Sequence, residues 1–260
     1  MVMPFTVVDA FTDRPFAGNP AAVMLLDAWP DDTLLQSIAL EHNLSETAFL
    51  VPTGGEADYA LRWFTPTVEI AMCGHATLAS GHVVLGERDV VRFATRKAGV
   101  LTVGRDGDGY TLDLPVTLVA PAPDAALLAA LGCDGEVFAS VSGAQQTSII
   151  LLPDAAAVRA CAPDMAALSA CEVMAIVTAP GDVADIVSRV FVPAWGVDED
   201  PVTGSAHAAL APFWAERLGR DRFTAYQASA RGGHLTCGLA GDRAILGGQC
   251  VTVMRGELLP

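Results

Sequence analysis

The chain has 260 residues, enough for one large domain or two of ordinary size, and its 52% hydrophobic content supplies an ample core, which excludes a disordered protein. Fifteen Lys and Arg against thirty Asp and Glu leave a formal charge of −15, which repels phosphate backbones and anionic membrane surfaces, so neither nucleic acid nor a membrane is an expected partner. Six cysteines, at 73, 133, 161, 171, 237 and 250, form no CxxC pair and lie scattered among apolar residues, so reduced thiols are expected, with neither a zinc site nor a disulfide framework.

The opening MVMPFTVVDAF carries no basic leader, long apolar stretch or small-residue cleavage site, and the expected location is cytoplasmic. Strand-like runs follow through the first half: FTVVDAF, AAVMLL, TAFLVP, YALRWF and VVRFAT. Between the second and third, residues 31–42 read as a helix, with Asp31 or Asp32 as cap and Leu34, Leu35 and Ile38 on one side. GRDGDGY supplies Gly104, Gly107 and Gly109 to a turn joining two strands, and the proline-spaced segment 115–123 reads as the crossing between halves. Beyond it the Ala-rich stretches 124–131, 155–160 and 165–171 are helix candidates, while TSIILL, VMAIVT, HLTCGL and CVTVMR read as strands.

An internal repeat organises these elements. Arg62, Phe64 and Pro66 recur as Arg189, Phe191 and Pro193, each pair 127 residues apart. After a three-residue insertion in the second copy the offset becomes 130, and Gly74, Ala76 and Ala79 match Gly204, Ala206 and Ala209. In each copy a strand reading RWF or RVF ends at a proline, a loop follows, and a glycine opens the run ATLASGHVVLG or AHAALAPFWAERLG. Both runs have helical length and are apolar on nearly every side until the last turn, so each helix must be surrounded by protein, and the flanking strands provide it. The expected fold class is α+β: two similar domains, each a curved antiparallel or mixed sheet wrapped around one central buried helix. The expected boundaries are 1–107 and 108–247, with the last strand, 248–260, returning to the first domain.

The repeated loops end in CGHA and TGSA, where the two buried helices begin. Helix N-termini present unpaired amide hydrogens and partial positive charge, so two facing ones suit a carboxylate or a developing enolate; the plainer reading is that small residues permit tight helix entry. His75 and Ser205 occupy the same place in the two copies, facing a shared cleft, and a histidine there can donate, accept or relay a proton near neutral pH. His82, His207 and His234 read as satisfied capping residues. Asp200, in DEDPVTGS, either orients a substrate amine, hydroxyl or catalytic group or closes an Asx turn before Pro201. Glu46, in NLSETAFLVP between a helix end and an apolar strand, stands where desolvation can bring a carboxyl group into a useful range for proton transfer. With Ser45 or Asn43 capping locally, Glu46 is instead an ordinary surface group. The chain contains no GxGxxG, GxxxxGK[ST] or GxSxG, so no dinucleotide or nucleotide cofactor is expected. ARGGHL, with Arg231, Gly232 and Gly233, is a strand-joining turn or an anion site.

The segments DAFTDRPFAGNPAAVMLLD, NLSETAFLVP, LRWFTPTVEIAMCGHATLASG and DEDPVTGSAHAAL resemble the PhzF phenazine-biosynthesis-like proteins, and the match runs in order to the final VTVMRGEL. That family is similar in fold to diaminopimelate epimerase, two domains each wrapping sheet around a central helix, which coincides with the duplication. The resemblance implies a homodimeric isomerase that works without cofactor or metal on a small-molecule substrate, with its site between the halves. Glu46 corresponds to the family's catalytic carboxylate, and His75, Asp200 and Ser205 fall on its other active-site positions. Gly74 and Gly204 would supply backbone amides to the substrate, and Asn19, in the GNP turn, is a further cleft residue or only a turn residue. The family's characterised activity is isomerisation of a dihydro-hydroxyanthranilate.

Two-base epimerases of this fold place one cysteine at the head of each central helix, whereas this chain has Cys73 in the first copy and Thr203 in the second. Threonine cannot serve as the partner thiol. A single carboxylate that takes a proton from one carbon and returns it to another on the same face needs no opposing base. A proton shift on a small carboxylate-bearing substrate is therefore the first expectation. Amino-acid racemisation or epimerisation is the second, and a non-catalytic small-molecule-binding protein of the same fold the third.

Overall fold

Runs of β-branched and aromatic residues become strands throughout the chain, in a computed structural model that describes residues 2–143 and 146–260. They sort into two units, Met1–Leu114 with Gly247–Pro260, and Pro115–Leu246.

In the first unit β1 (Met3–Ala10) lies between β2 (Asn19–Leu25) and the C-terminal strand Cys250–Leu258, antiparallel to both. Helix α1 (Asp32–His42) leads to β3 (Glu46–Pro52), which runs parallel to β2 and antiparallel to β4 (Tyr59–Phe64). Strand β4 also carries the short β5 (Glu69–Ile70) and, in parallel, β6 (Val90–Thr95), reached through helix α2 (Gly74–Val84). The ladder ends in β7 (Val100–Asp106) and β8 (Gly109–Pro115). That hairpin moves the boundary from the expected residue 107 to 114, because β8 pairs with β7 around a tight turn in which Gly107 takes a φ of 56°. Gly104 lies within the ladder rather than in the turn.

Asp31 caps α1 by accepting from the Thr33 amide at 2.8 Å, and Asn43 ends the helix in the left-handed conformation, so its role is a C-cap. Leu35, Ile38 and Ala39 pack against Met3, Met24, Leu26, Phe49 and Phe64, at about 1.5–3 kcal/mol for each large side chain buried. Helix α2 is buried without a break from Gly74 to Gly81, and β1, β2, β3 and β7 touch it. Its hydroxyls turn back onto its own carbonyls, Thr77 to Cys73 at 2.5 Å and Ser80 to Ala76 at 2.7 Å, which lets polar residues sit in an apolar surround. At Gly81 a Cβ would come within 2.4 Å of a Val103 methyl, so only glycine lets β7 pack this close to the helix.

The second unit repeats this order strand for strand. Its β9 (Val119–Pro121), β10 (Glu136–Ser140) and β11 (Thr147–Leu151) are antiparallel neighbours, with α3 (Ala125–Leu131) between the first two in sequence. Two short helices, α4 (Ala155–Ala160) and α5 (Met165–Ser169), cross to β12 (Met174–Pro180), which is parallel to β11. Then β13 (Ile186–Val192) pairs antiparallel with β12 and with β14 (Val197–Asp200), and parallel with β15 (Arg222–Gln227), reached through helix α6 (Gly204–Leu218). Strand β16 (Gly233–Ala240) closes antiparallel on β15. Every pairing direction matches its counterpart in the first unit. The three-residue insertion follows Pro193, where a 3₁₀ turn, Pro193–Trp195, leads into β14. Segment 115–123 is more than a crossing, since it holds β9, and α5 stops two residues before the expected 171. Leu127, Leu131, Ile150, Val158, Leu168, Val177 and Phe191 form this unit's core. Among the described residues no helix is long and apolar enough to cross a membrane.

Candidate active site

In the first unit Asn19, Glu46, Gly74 and His75 come together. The chain turns at Gly18, whose φ of 63° and close approach to the Ala10 carbonyl, 2.1 Å from a would-be Cβ, leave no room for a side chain. Asn19 is therefore the first residue of β2 and not part of the turn; it is fully buried, with its amide nitrogen 3.0 Å from His75 Nδ1. His75 is the second residue of α2, and its Nε2 lies 3.1 Å from Oε2 of Glu46, the first residue of β3. The contact has the distance of an ion pair without the alignment of a hydrogen bond. Glu46 is largely buried, its side chain 14% exposed, so it is not a free surface group.

Burial works against a charged His75, yet the Cys73 sulfur, 3.5 Å from Nδ1, and the Glu46 carboxylate together raise it well above the usual histidine value. Burial, reinforced by Glu46, pushes the Cys73 thiol up to about 11. A thiol so placed is neutral near pH 7, and the carboxylate is then the charge that holds the His75 proton. A doubly protonated ring presents N–H at Nδ1, which calls for the Asn19 oxygen there; turning the amide by half a revolution supplies it without changing its shape. Glu46, Cys73 and His75 offer ligand atoms within 4.8 Å of one another. Holding an ion among them would require the Cys73 thiol to lose its proton, which burial opposes.

In the second unit Asp200, Gly204 and Ser205 come together where β14 runs into α6. The Asp200 carboxylate accepts from the Thr203 hydroxyl through Oδ2 at 2.5 Å. Gln227, buried at the end of β15, accepts from the Thr203 amide at 2.9 Å and donates to the Asp200 carbonyl at 2.7 Å. No sequence signal marked Gln227, a lone polar residue ending a strand. Ser205 Oγ has a weak contact with Met174 Sδ at 3.8 Å. Neither Cys73 nor Thr203 caps its helix with its side chain, so the amides opening α2 and α6 receive no partner from the N-cap residue.

His82, His207 and His234 do not cap helices as expected. His82 bridges the Tyr110 hydroxyl at 3.0 Å and the Thr252 hydroxyl at 2.9 Å. Fully buried His207 reaches back along α6 to the Thr203 carbonyl at 2.8 Å, and burial holds its pKa down at about 4. His234 is exposed and stacks beside Tyr226, 4.7 Å between ring centres. ARGGHL is the turn between β15 and β16, tied to the Asp200 loop through Ser229, which donates to the Pro201 carbonyl at 2.8 Å. All six cysteines are free thiols.

The profile of the phenazine biosynthesis-like proteins, PhzC-PhzF, matches residues 8–256. The chain belongs to this family. An uncharacterized isomerase of Pseudomonas aeruginosa is 49% identical over 266 residues, covering 99% of each chain. An uncharacterized isomerase of Halalkalibacterium halodurans is 41% identical across 100% of this chain and 99% of its own length. Among solved structures, a PhzF-family phenazine biosynthesis protein of Enterococcus faecalis matches with a TM-score of 0.91 at 42% identity over the whole of both chains. A hydroxyproline epimerase from Agrobacterium vitis shares the fold more distantly, with a TM-score of 0.64 at 17% identity over 99% of this chain and 92% of that one.

Proposed function

We propose that this protein is an isomerase that moves a proton between two carbons of a small carboxylate-bearing substrate, with Glu46 as the general acid/base. The observation that carries this reading is the buried contact of Glu46 with His75, whose ring Asn19 holds from the other side. A charged imidazole beside a carboxylate leaves the carboxylate as the group that starts as proton acceptor. Glu46 takes a proton from an activated C–H, the electron pair delocalises through the substrate, and Glu46 returns the proton to a second carbon of the same anion. Nothing is oxidised or reduced, and no cofactor enters these steps. The amides of Gly74 and Gly204 bind the carboxylate or developing oxyanion, while Asp200 and Ser205 position polar substituents.

A two-base epimerase would need a second thiol where Thr203 stands, and Cys73, pushed up to about 11, is a poor thiolate source. The proton shift needs neither.

Incubating dihydro-hydroxyanthranilate and a set of cyclic and acyclic amino acids in heavy water, with NMR readout, tests the reading. Wild-type protein is expected to incorporate deuterium and release a positional isomer, and Glu46→Gln to lower kcat at least ~10²-fold with little change in affinity. Exchange by Glu46→Gln at a near wild-type rate would overturn the assignment, and inversion at a single centre would move it to epimerisation. A homodimer is part of the same proposal, resting on the family resemblance; sedimentation that shows only monomer at micromolar concentration would remove it.

A further inference from the structure

Gln227 is fully buried, and a buried primary amide carries two donor hydrogens and an acceptor that are costly to leave unmatched. Its side chain bonds to one short segment, between Asp200 and Thr203. Oε1 accepts from the Thr203 amide at 2.9 Å, and Nε2 donates to the Asp200 carbonyl at 2.7 Å and to the Thr203 hydroxyl oxygen at 3.2 Å. Because that hydroxyl oxygen receives a hydrogen from Gln227, its own hydrogen is directed to Asp200 Oδ2, at 2.5 Å. Gln227 thus holds Asp200 twice, at the backbone directly and at the carboxylate through Thr203, and fixes the residue from which Gly204 and Ser205 follow. In the first unit the position matching Thr203 is Cys73, whose sulfur lies against His75 instead. A hydroxyl in place of the thiol gives Asp200 a donor that a cysteine would supply only weakly.

We infer that Gln227 is a positioning residue that acts through Thr203 on Asp200. The inference rests on the function proposed above, in which Asp200 orients the substrate. A glutamine that merely filled the core would lower turnover only as far as it lowered stability, and by the same factor whatever stood at 200.

Four variants decide the matter, assayed for turnover of dihydro-hydroxyanthranilate and for thermal melting. Thr203→Ser keeps the hydroxyl and should stay within about threefold of wild type, while Thr203→Val, of similar shape, should lose at least about tenfold in kcat with its melting transition retained. Gln227→Met should lose as much in the wild-type background but under about twofold in the Asp200→Asn background, the coupling expected of residues acting in series. Thr203→Val at wild-type rate, or a Gln227→Met loss undiminished beside Asp200→Asn, overturns the inference. An inactive Asp200→Asn with an active Thr203→Val removes only the Gln227–Thr203 device; an active Asp200→Asn removes the proposed role of Asp200 and the inference with it. If wild-type protein leaves this compound unchanged, crystal structures of wild type and Thr203→Val still decide the positioning. The carboxylate should move by about 1 Å or more, a displacement large enough to cost catalysis, and an unmoved carboxylate overturns the inference.

Discussion

Arg62 closes on Glu69 with two parallel bonds of 2.8 Å, and Arg189 closes on Glu199 in the same way at 2.8 and 2.9 Å. The rings of Phe64 and Phe191 lie 5.0 and 4.9 Å from the guanidinium carbons. Each fork ties the strand before the loop to the strand after it, just ahead of α2 or α6, so the duplication repeats the brace as well as the helix it aims.

Both arginines are raised above their ordinary value, chiefly by the hydrogen bonds to these glutamates. Glu199→Gln should cost about 3 kcal/mol in chemical denaturation, the low end for breaking a buried pair, since Glu199 is 21% exposed and water relieves part of the loss. Arg189→Lys should also destabilise, because an ammonium keeps the charge and cannot make the fork. An unchanged denaturation midpoint in both variants would show that the pair contributes no stability.

His75 gives a test that needs no substrate. Its folded value lies above the unfolded 6.5, so its contribution to stability is fully present below that pH and is lost as pH rises through the raised value. Glu46→Gln removes the anion and leaves burial to dominate, so the His75 midpoint, followed by imidazole NMR, should fall below the usual histidine value. A midpoint that stays raised would show that a group other than Glu46 holds the proton.

The repeat was legible because it is carried by recognisable residues: an arginine that forks onto a glutamate, a phenylalanine beneath it, and a glycine that opens a buried helix. Period-two runs located the strands, but not the domain boundary, because a hairpin such as β7–β8 belongs with whichever ladder it joins. Glu46, His75 and Asp200 were visible through family motifs, whereas their contacts were not. Asn19 reads as a cleft residue or a turn residue beside Gly18 and Pro20, and only the β2 ladder sets its amide against the His75 ring. Gln227 left no trace, since its role depends on the parallel pairing of β13 with β15, which no local pattern encodes.

His207 predicts an acid weakness. Burial lowers its folded value to about 4 against an unfolded 6.5, so the unfolded chain binds the extra proton between those values and stability is lost as pH falls from 6.5 towards 4. The loss is on the order of 3 kcal/mol from this one group. His207→Asn keeps an N–H for the Thr203 carbonyl without titrating, so its stability should fall less over that interval, although its stability at pH 7 is lower for the smaller side chain. Urea denaturation at pH 7, 5 and 4 checks this, and parallel losses in the two proteins would assign the acid sensitivity elsewhere.

Cys73 separates the proton-shift reading from a thiol mechanism. Its sulfur is buried, 3.5 Å from His75 Nδ1, and neutral near pH 7 because burial and the nearby Glu46 push it up to about 11. A neutral thiol there packs against the ring but neither holds its charge nor attacks a C–H bond. Cys73→Ala should therefore keep kcat within about fivefold of wild type, whereas loss of a true proton-transfer group costs ~10²-fold or more. The His75 midpoint should stay raised in this variant, because the carboxylate at Nε2 remains. If Cys73→Ala abolished turnover while Glu46→Gln spared it, the sulfur would be the base, and the pair Cys73 and His75 would replace Glu46 at the centre of the chemistry.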